Sequence, residues 1–406
     1  MISPLLSRPQ GSVVIVGGGV MGAATACFLA RDHGLAVTVI ERDPSYQKAS
    51  SALSASSIRV QFSQPVNIAL SLWSLAFLRR LDQELAVDGV APAIGLVEPG
   101  YLYLAHREGN GAAALRQQHA VQRAQGADVA LLEPAALRNT FPWLNTEDLG
   151  LASLGLSGEG WFDGPALHQA FRRKALSCGA RFVADEALDF ATQGERVQGV
   201  HCRLQGLIDA DAVVLCAGAW SAPLAGRLGL VLPVVAKKRD VFVFDSPAEL
   251  PACPLVIDPS GLWFRPEGRG FIGGAPPRDG DPDEPPLHDI DHALFDEVLW
   301  PALAHRVPGF EALRLRSAWA GYYEMNLFDH NGLAGALPGW ANAFTACGFS
   351  GHGMQQAAAV GAALAAQISG ECLGAPCGAP CDAPSLLPLS PARLLTGQRL
   401  LEDNII

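Results

Sequence analysis

VVIVGGGVMGAATACFLA, residues 13 to 30, constrains the fold more than any other stretch of this chain. The apolar run Val13 to Val16 suits a buried parallel strand. Gly17, Gly19 and Gly22 then follow the pattern G-x-G-x-x-G into an alanine-rich helix. The first glycine permits a tight turn, the second lets a pyrophosphate approach the backbone, and the third lets helix and strand meet. Val20 and Met21 stand at the helix N-terminus, where amide donors and the positive dipole end meet phosphates. A second apolar run, Ala36 to Ile40, ends at Glu41, 24 positions after Gly17, where an acid accepts hydrogen bonds from a ribose. Strand, glycines, helix, strand and acid in this order predict a dinucleotide-binding βαβ unit. An ordinary buried βαβ unit is the competing reading.

A membrane-spanning helix needs roughly 20 apolar residues, and three adjacent glycines would weaken one here badly. MISPLLSRPQG, which precedes the run, has no long hydrophobic core and no small-residue cleavage site. Neither a membrane span nor a secretory signal is expected. At 406 residues the chain exceeds one typical core and is expected to form two lobes. Hydrophobic content of 49% with a mean hydropathy of +0.20 implies a well-filled interior. The net charge of −11 argues against nucleic acid or an anionic membrane surface as a partner. Nine cysteines are scattered singly and read as reduced thiols in a cytoplasmic protein.

The βαβ unit alone does not separate NAD from FAD. The stretch ERDPSYQKASSALSASSIRVQFSQPVNIALSLWSLAFLRRL, from Glu41, resembles the D-amino-acid oxidase superfamily, especially its sarcosine, glycine and dimethylglycine oxidases and dehydrogenases. The resemblance implies FAD, with Glu41 and Arg42 on the adenosine side and Ser50 and Ser51 on the flavin side. Side-chain chemistry agrees, since a carboxylate grips ribose hydroxyls and small hydroxyls reach phosphate oxygens. Three further segments carry the likeness. GWFDGPALHQAFRRKALSCGARF, from Gly160, looks like the helix that leads into the family's adenine-side strand. ADAVVLCAGAWSAPLAGRLGL, from Ala210, resembles the strand that returns to the nucleotide, where Gly218 leaves room and Trp220 follows. GFSGHGMQQAAAVGAALAAQISG, from Gly348, is a second glycine-rich loop opening a helix. The resemblance puts Gly348, Ser350, Gly351, His352, Gly353 and Met354 around the flavin, with amides from Gly351 to Met354 meeting its pyrimidine edge.

The implied fold class is α/β: a Rossmann-like FAD-binding domain of the glutathione-reductase type with a discontinuous antiparallel-sheet substrate domain. The FAD lobe is expected from residues 1–85, 145–230 and 320–372, and the substrate lobe from 86–144 and 231–319, with 373–406 as a tail. GLVEPGYLYLA, KKRDVFVFDS, GLWFRPEG and GFIGGAP read as short strands bounded by glycine and proline.

What the resemblance implies for chemistry is oxidation of the C–N bond of a small secondary amine or amino acid, with hydride passing to flavin N5. Arg59 matches the position of a carboxylate-binding arginine, and its planar guanidinium suits a carboxylate. Within WAGYYEMN, Tyr323 matches a wall of the substrate site, while Gly321 replaces the cysteine that carries covalent flavin in monomeric sarcosine oxidase. No histidine lies between Ser50 and Arg59, which removes the other attachment point, so noncovalent FAD is expected. Gln355 stands where the oxidases carry a carboxylate-binding lysine, and Ile272 or a neighbour where they carry a lysine that assists oxygen. Arg265 or Lys237 could fold over the flavin instead. The electron acceptor is then either O2 or a redox partner. A flavoprotein subunit or assembly factor with little turnover is the alternative function. His288 and His292 are spaced like metal ligands on a helix, but a charged helix start is the simpler reading, and Cys372, Cys377 and Cys381 lack a fourth ligand. No metal is expected.

Overall fold

The computed structural model describes residues 11–278, 280–372 and 382–404. The strands Ser12–Val16 and Ala36–Glu41 pair in parallel, with Val13 opposite Val37 and Val16 opposite Ile40. They form the centre of a six-stranded sheet that continues through Arg181–Ala184 on one side and Ala212–Leu215, Ala343–Cys347 and Leu333–Ala336 on the other. Neighbours are parallel except at the Leu333–Ala336 edge. Strands buried on both faces explain the unbroken apolar runs VVIV and AVVL.

One face of this sheet carries the helix Val20–His33, flanked by Gly164–Ser177 and Gly353–Gln367. Small residues set the distance between these helices. A Cβ added to Gly361 would stand 2.9 Å from Ala24 Cβ and 3.0 Å from Thr25 N. Asp163 caps Gly164–Ser177 by accepting the Ala166 amide at 2.8 Å, and Gly34 closes Val20–His33 in the left-handed region at φ +63°. A three-stranded meander, Ala187–Gln193, Arg196–Cys202 and Gly206–Asp209, covers the other face through Phe190, Val197 and Val200.

A second sheet has eight strands in the order Arg314–Asn326, Val234–Asp245, Gly270–Gly274, Trp263–Glu267, Leu255–Ile257, Tyr101–His106, Leu149–Gly155 and Val129–Leu132. The four short strands expected in the second lobe all belong to it. It is antiparallel except where Leu255–Ile257 runs parallel to Tyr101–His106. Phe242, Phe244, Phe264, Phe271 and Phe310 build its core. Its first two strands form a ladder from Val234 opposite Asn326 to Asp245 opposite Arg314. Directly opposed residues share a face, so Arg239, Gly321, Lys237 and Tyr323 lie together.

The expected lobe boundaries need two corrections. Leu149–Gly155 and part of Arg314–Asn326 fall within the expected FAD lobe, yet both strands hydrogen-bond into the eight-stranded sheet. Strand pairing decides membership, and neither strand pairs with the parallel sheet. The helix begun by Asp291 spans only His292–Leu294 before a wider turn, so His288 and His292 do not share a helix. Cys377 and Cys381 lie outside the described residues.

The packing of Gly361 on Ala24 makes a testable demand. Gly361→Leu should destabilise the protein by about 2 to 3 kcal/mol through overpacking, measured by urea unfolding; an unchanged midpoint would show that these helices tolerate a wider spacing.

Candidate active site

The parallel strands end together at one edge, and there a cleft opens. Its first part is a cavity of about 410 Å³ lined by Gly17, Gly19, Glu41, Arg42, Gly218 and Trp220, among others. Its second part, about 260 Å³, lies under the eight-stranded sheet and is lined by Arg239, Trp263, Tyr322, Tyr323, Gly351 and Met354. Val20, Met21, Ser50, Ser51 and Glu324 line both. A crevice at the carboxyl ends of parallel strands is where open α/β sheets bind nucleotides.

The first part is built by close backbone approach. Gly17 has φ +99°, and a Cβ there would overlap the Cys216 carbonyl. A Cβ on Gly22 would overlap the Gly17 carbonyl, so helix, turn and returning strand meet only through glycine. Glu41 is oriented by main-chain donors: Gly18 N at 2.8 Å and Asp43 N at 2.8 Å. Its carboxylate is thereby held at the rim of the cavity. The Arg42 guanidinium lies 4.1 Å from the centre of the Trp220 ring. His168 hydrogen-bonds the Gly18 carbonyl at 2.8 Å, and burial lowers its pKa. The Ser51 hydroxyl is buried with no protein partner although Ser51 lines both parts of the cleft. An unpaired buried hydroxyl beside a helix N-terminus and two glycines fits a dinucleotide pyrophosphate.

In the second part, Tyr323 lies against the loop that opens the helix Gly353–Gln367. Gly351 has φ +94°, and any Cβ there would overlap the Tyr323 ring. Ser350, at φ +49°, is pinned by the Asn326 amide donating to its hydroxyl at 3.0 Å. His352 is 1% exposed, edge-on to Phe62 and Phe349, and neither ring nitrogen has a partner. Burial pushes its pKa down to about 3, so the ring is neutral. Gly351, Gly353 and Met354 face the cleft. Gly348, Ser350 and His352 do not line it and instead shape the loop from behind.

Arg59 and Gln355, expected on the substrate, and Arg265, expected over the flavin, lie off the cavity wall. Arg59 is 4% exposed and packs 4.0 Å from the centre of the Phe62 ring. Its guanidinium donates to the Gln61 carbonyl at 2.9 Å and to the Asn404 carbonyl. Gln355 accepts the Arg59 amide at 2.8 Å, so it holds backbone. Arg265 donates to the Ala55 carbonyl at 2.8 Å, pairs with Glu267 and lies 4.9 Å from the centre of the Trp161 ring. Ile272 is buried within its strand. Lys237 pairs with Asp283 at 2.8 Å and does not line the cleft.

Two wall residues escaped the sequence reading. Arg239 lines the second cavity, pairs with both Asp281 oxygens at 2.9 and 3.0 Å, and stands 5.6 Å from the centre of the Tyr323 ring. Alternation in KKRDVFVF puts Arg239 on the same face as Lys237, so the signal was present. Glu324 stands where the two cavities meet, its carboxylate receiving the Phe349 amide at 3.4 Å. Burial raises its pKa to about 7, with main-chain donors from Gly348 and Phe349 opposing the rise.

The family model described as "DAO: FAD dependent oxidoreductase" matches residues 12–367. "FAD-dependent oxidoreductase domain-containing protein 1" of Xenopus laevis is 43% identical over 393 residues, covering 88% of this chain and 78% of that one. Glycine oxidase of Geobacillus kaustophilus is 31% identical over 316 residues, covering 76% of this chain and 80% of that one. Among solved structures, L-proline dehydrogenase from P.horikoshii shares the fold with a TM-score of 0.81 at 23% identity, covering 97% of this chain and all of that one. No helix among the described residues is long and apolar enough to cross a membrane.

Glu324 makes stability depend on pH. Its folded pKa of about 7 stands above the ordinary carboxylate value of 4.5. The cost of ionising it inside the fold is therefore absent below pH 4.5 and complete above pH 7. Glu324→Gln should raise the melting temperature of the cofactor-free protein at pH 8 by a few degrees and leave it nearly unchanged near pH 4.5. Equal shifts at both pH values would contradict the assignment.

Proposed function

Since the chain belongs to the DAO family of FAD-dependent oxidoreductases, we propose that it oxidises the C–N bond of a small secondary amine or amino acid that carries a carboxylate. The bound FAD supplies the hydride acceptor. The chain's own residues bind and orient. The glycine turn, Glu41, Arg42 and Ser51 would hold the dinucleotide, and Gly321 offers no nucleophile for a covalent link; a Cβ added there would stand 3.0 Å from Leu53 Cβ. The amide-bearing loop from Gly351 to Met354 faces the second cavity and would meet the edge of a flavin ring bound there. Tyr323, which lies against that loop, and Tyr322 line the same part of the cleft, and burial keeps the Tyr323 phenol protonated.

The observation that carries the reading is the state of three arginines. Arg239 has Asp281 and Arg265 has Glu267, so their charges are compensated. Arg59 is buried, has only neutral carbonyl acceptors, and is close enough to Tyr323 to lower that phenol's pKa against the effect of burial. A guanidinium with no carboxylate in direct contact among the described residues, set behind the wall of a substrate-sized cavity and with buried Glu159 as its nearby acid, suits a carboxylate ligand. Glycine oxidase and sarcosine dehydrogenase, by their names, act on small amino acids, which supports the substrate class.

Anaerobic mixing with a panel of N-methyl and N-alkyl amino acids should bleach the visible flavin band. Arg59→Gln should raise KM for the reactive member about 30-fold, equivalent to ~2 kcal/mol for a lost charge-assisted contact, with a smaller change in kcat. A panel that leaves the band untouched would remove this substrate class.

Reaction of reduced flavin with O2 is fast where a free cation stabilises developing superoxide. Arg239, which lines the second cavity, is paired with Asp281, and Lys237 nearby is paired with Asp283. Stopped-flow mixing of the reduced protein with air-saturated buffer should therefore show reoxidation slower than turnover with an artificial acceptor. Reoxidation at the rate of turnover would identify an oxidase.

A further inference from the structure

The stretch Arg59–Asn67 carries Arg59, and it is bound by a segment more than 300 residues away in sequence. Glu402 is 1% exposed and anchors that segment. Its carboxylate accepts Ser63 N at 2.8 Å, Ser63 Oγ at 2.9 Å, Gln64 N at 3.2 Å and Asn67 Nδ2 at 2.9 Å. A second anchor lies at buried Asp329, which accepts the Leu400 amide at 3.0 Å and pairs with Arg393 at 2.8 Å. Between these anchors and the arginine stands Asn404. Its side chain donates to the Gln61 carbonyl at 3.0 Å and to Gln118 Oε1 at 3.2 Å, and its carbonyl accepts from Arg59.

This arrangement gives Arg59 one neutral acceptor from a distant segment in place of an anion. A carboxylate offers two charged oxygens in the geometry of the guanidinium fork, and such contacts are roughly twice as strong as neutral ones. We propose that residues 400–404 form a strap whose Asn404 carbonyl holds the place of the substrate carboxylate on Arg59, so that substrate binding and docking of the strap's tip compete. The proposal rests on the carboxylate reading above. It makes Glu402 a positioning residue: its four contacts to residues 63–67 set how firmly Asn404 is presented. Competition between two ligands for one site is reciprocal, so whatever loosens the tip tightens the carboxylate, and the converse. Residues 403–404 are held by single hydrogen bonds to Arg59, Gln61, Ser63, Gln118 and Glu402 and bury no apolar side chain, so they open at lower cost than the core.

The test uses the FAD-loaded full chain with acetate, glycolate and benzoate as non-reacting carboxylates. Binding is read from the shift of the flavin absorption band, and the strap from hydrogen exchange of the amides of Asp403 and Asn404. Saturating carboxylate should speed exchange at these amides about tenfold. Glu402→Gln should lower the carboxylate Kd several-fold, while exchange in the helix Gly353–Gln367 stays unchanged. A flavin shift with no change in exchange overturns the strap and leaves the carboxylate reading standing. No flavin shift with any of the three overturns both. A Glu402→Gln variant that folds but binds carboxylate more weakly overturns competition and makes the segment a support for Arg59. Should that variant not fold, the exchange measurement on the unaltered chain decides by itself.

Discussion

The rest of the structure depends on the near-contact of two backbones at the start of the first helix. The Gly17 carbonyl occupies the place where a side chain at position 22 would begin, and the Cys216 carbonyl occupies the place of a side chain at position 17. Turn, helix and returning strand thereby share one point. The helix Val20–His33 is fixed relative to Ser12–Val16 and Ala212–Leu215, and its N-terminus points into the cleft. Everything chemical is arranged from that point outward: Glu41 one strand away, Ser51 at the next short helix, and Gly351–Met354 at the helix that packs on Ala24. A methyl group at either glycine would overlap a carbonyl, and no side-chain rotamer relieves such a clash.

Electrostatic compensation organises the second half of the cleft. Cations near it are matched by carboxylates from the same sheet or its loops, as in Arg239 with Asp281 and Lys237 with Asp283. Glu324 and Glu159 are buried acids whose pKa values burial raises to about 7, and both are held by main-chain amides. Arg59 departs from this pattern. Its partners are carbonyls and an aromatic face. Glu159, on the amides of residues 60 and 61, is its nearby acid but makes no ion pair with it. A buried guanidinium lacking a direct ionic contact is expensive unless a ligand completes it, which is why the proposed chemistry is centred there.

The nucleotide half was legible in the sequence because its signals are local. G-x-G-x-x-G, the acid at 41 and the apolar strand ending at Cys216 each lie within one short segment, and all of them line or shape the first cavity. The substrate half was harder to see for two physical reasons. Arg239 and Glu324 sit on long paired strands, where the neighbour across the ladder decides which face meets the cavity, and that register is not written in either strand alone. Arg59 was legible as a residue but not in its surroundings. Its acceptor comes from position 404, and a pairing at that separation leaves no local pattern. The resemblance puts Gln355 beside the substrate carboxylate, and Arg265 is a candidate to fold over the flavin; their side chains are instead taken up by amide and carbonyl partners around residues 59 and 55.

The proposed function requires that the two cavities form one site, with dinucleotide in the first and flavin ring with substrate in the second. A crystal structure of the FAD-loaded protein with a carboxylate inhibitor tests it most directly. The account predicts the pyrophosphate against Gly17–Met21, the ring edge at the amides of Gly351–Met354, and the inhibitor between ring and Tyr323 with its carboxylate on Arg59. An inhibitor bound away from the Tyr323 wall, or a ring lying outside the second cavity, would contradict it.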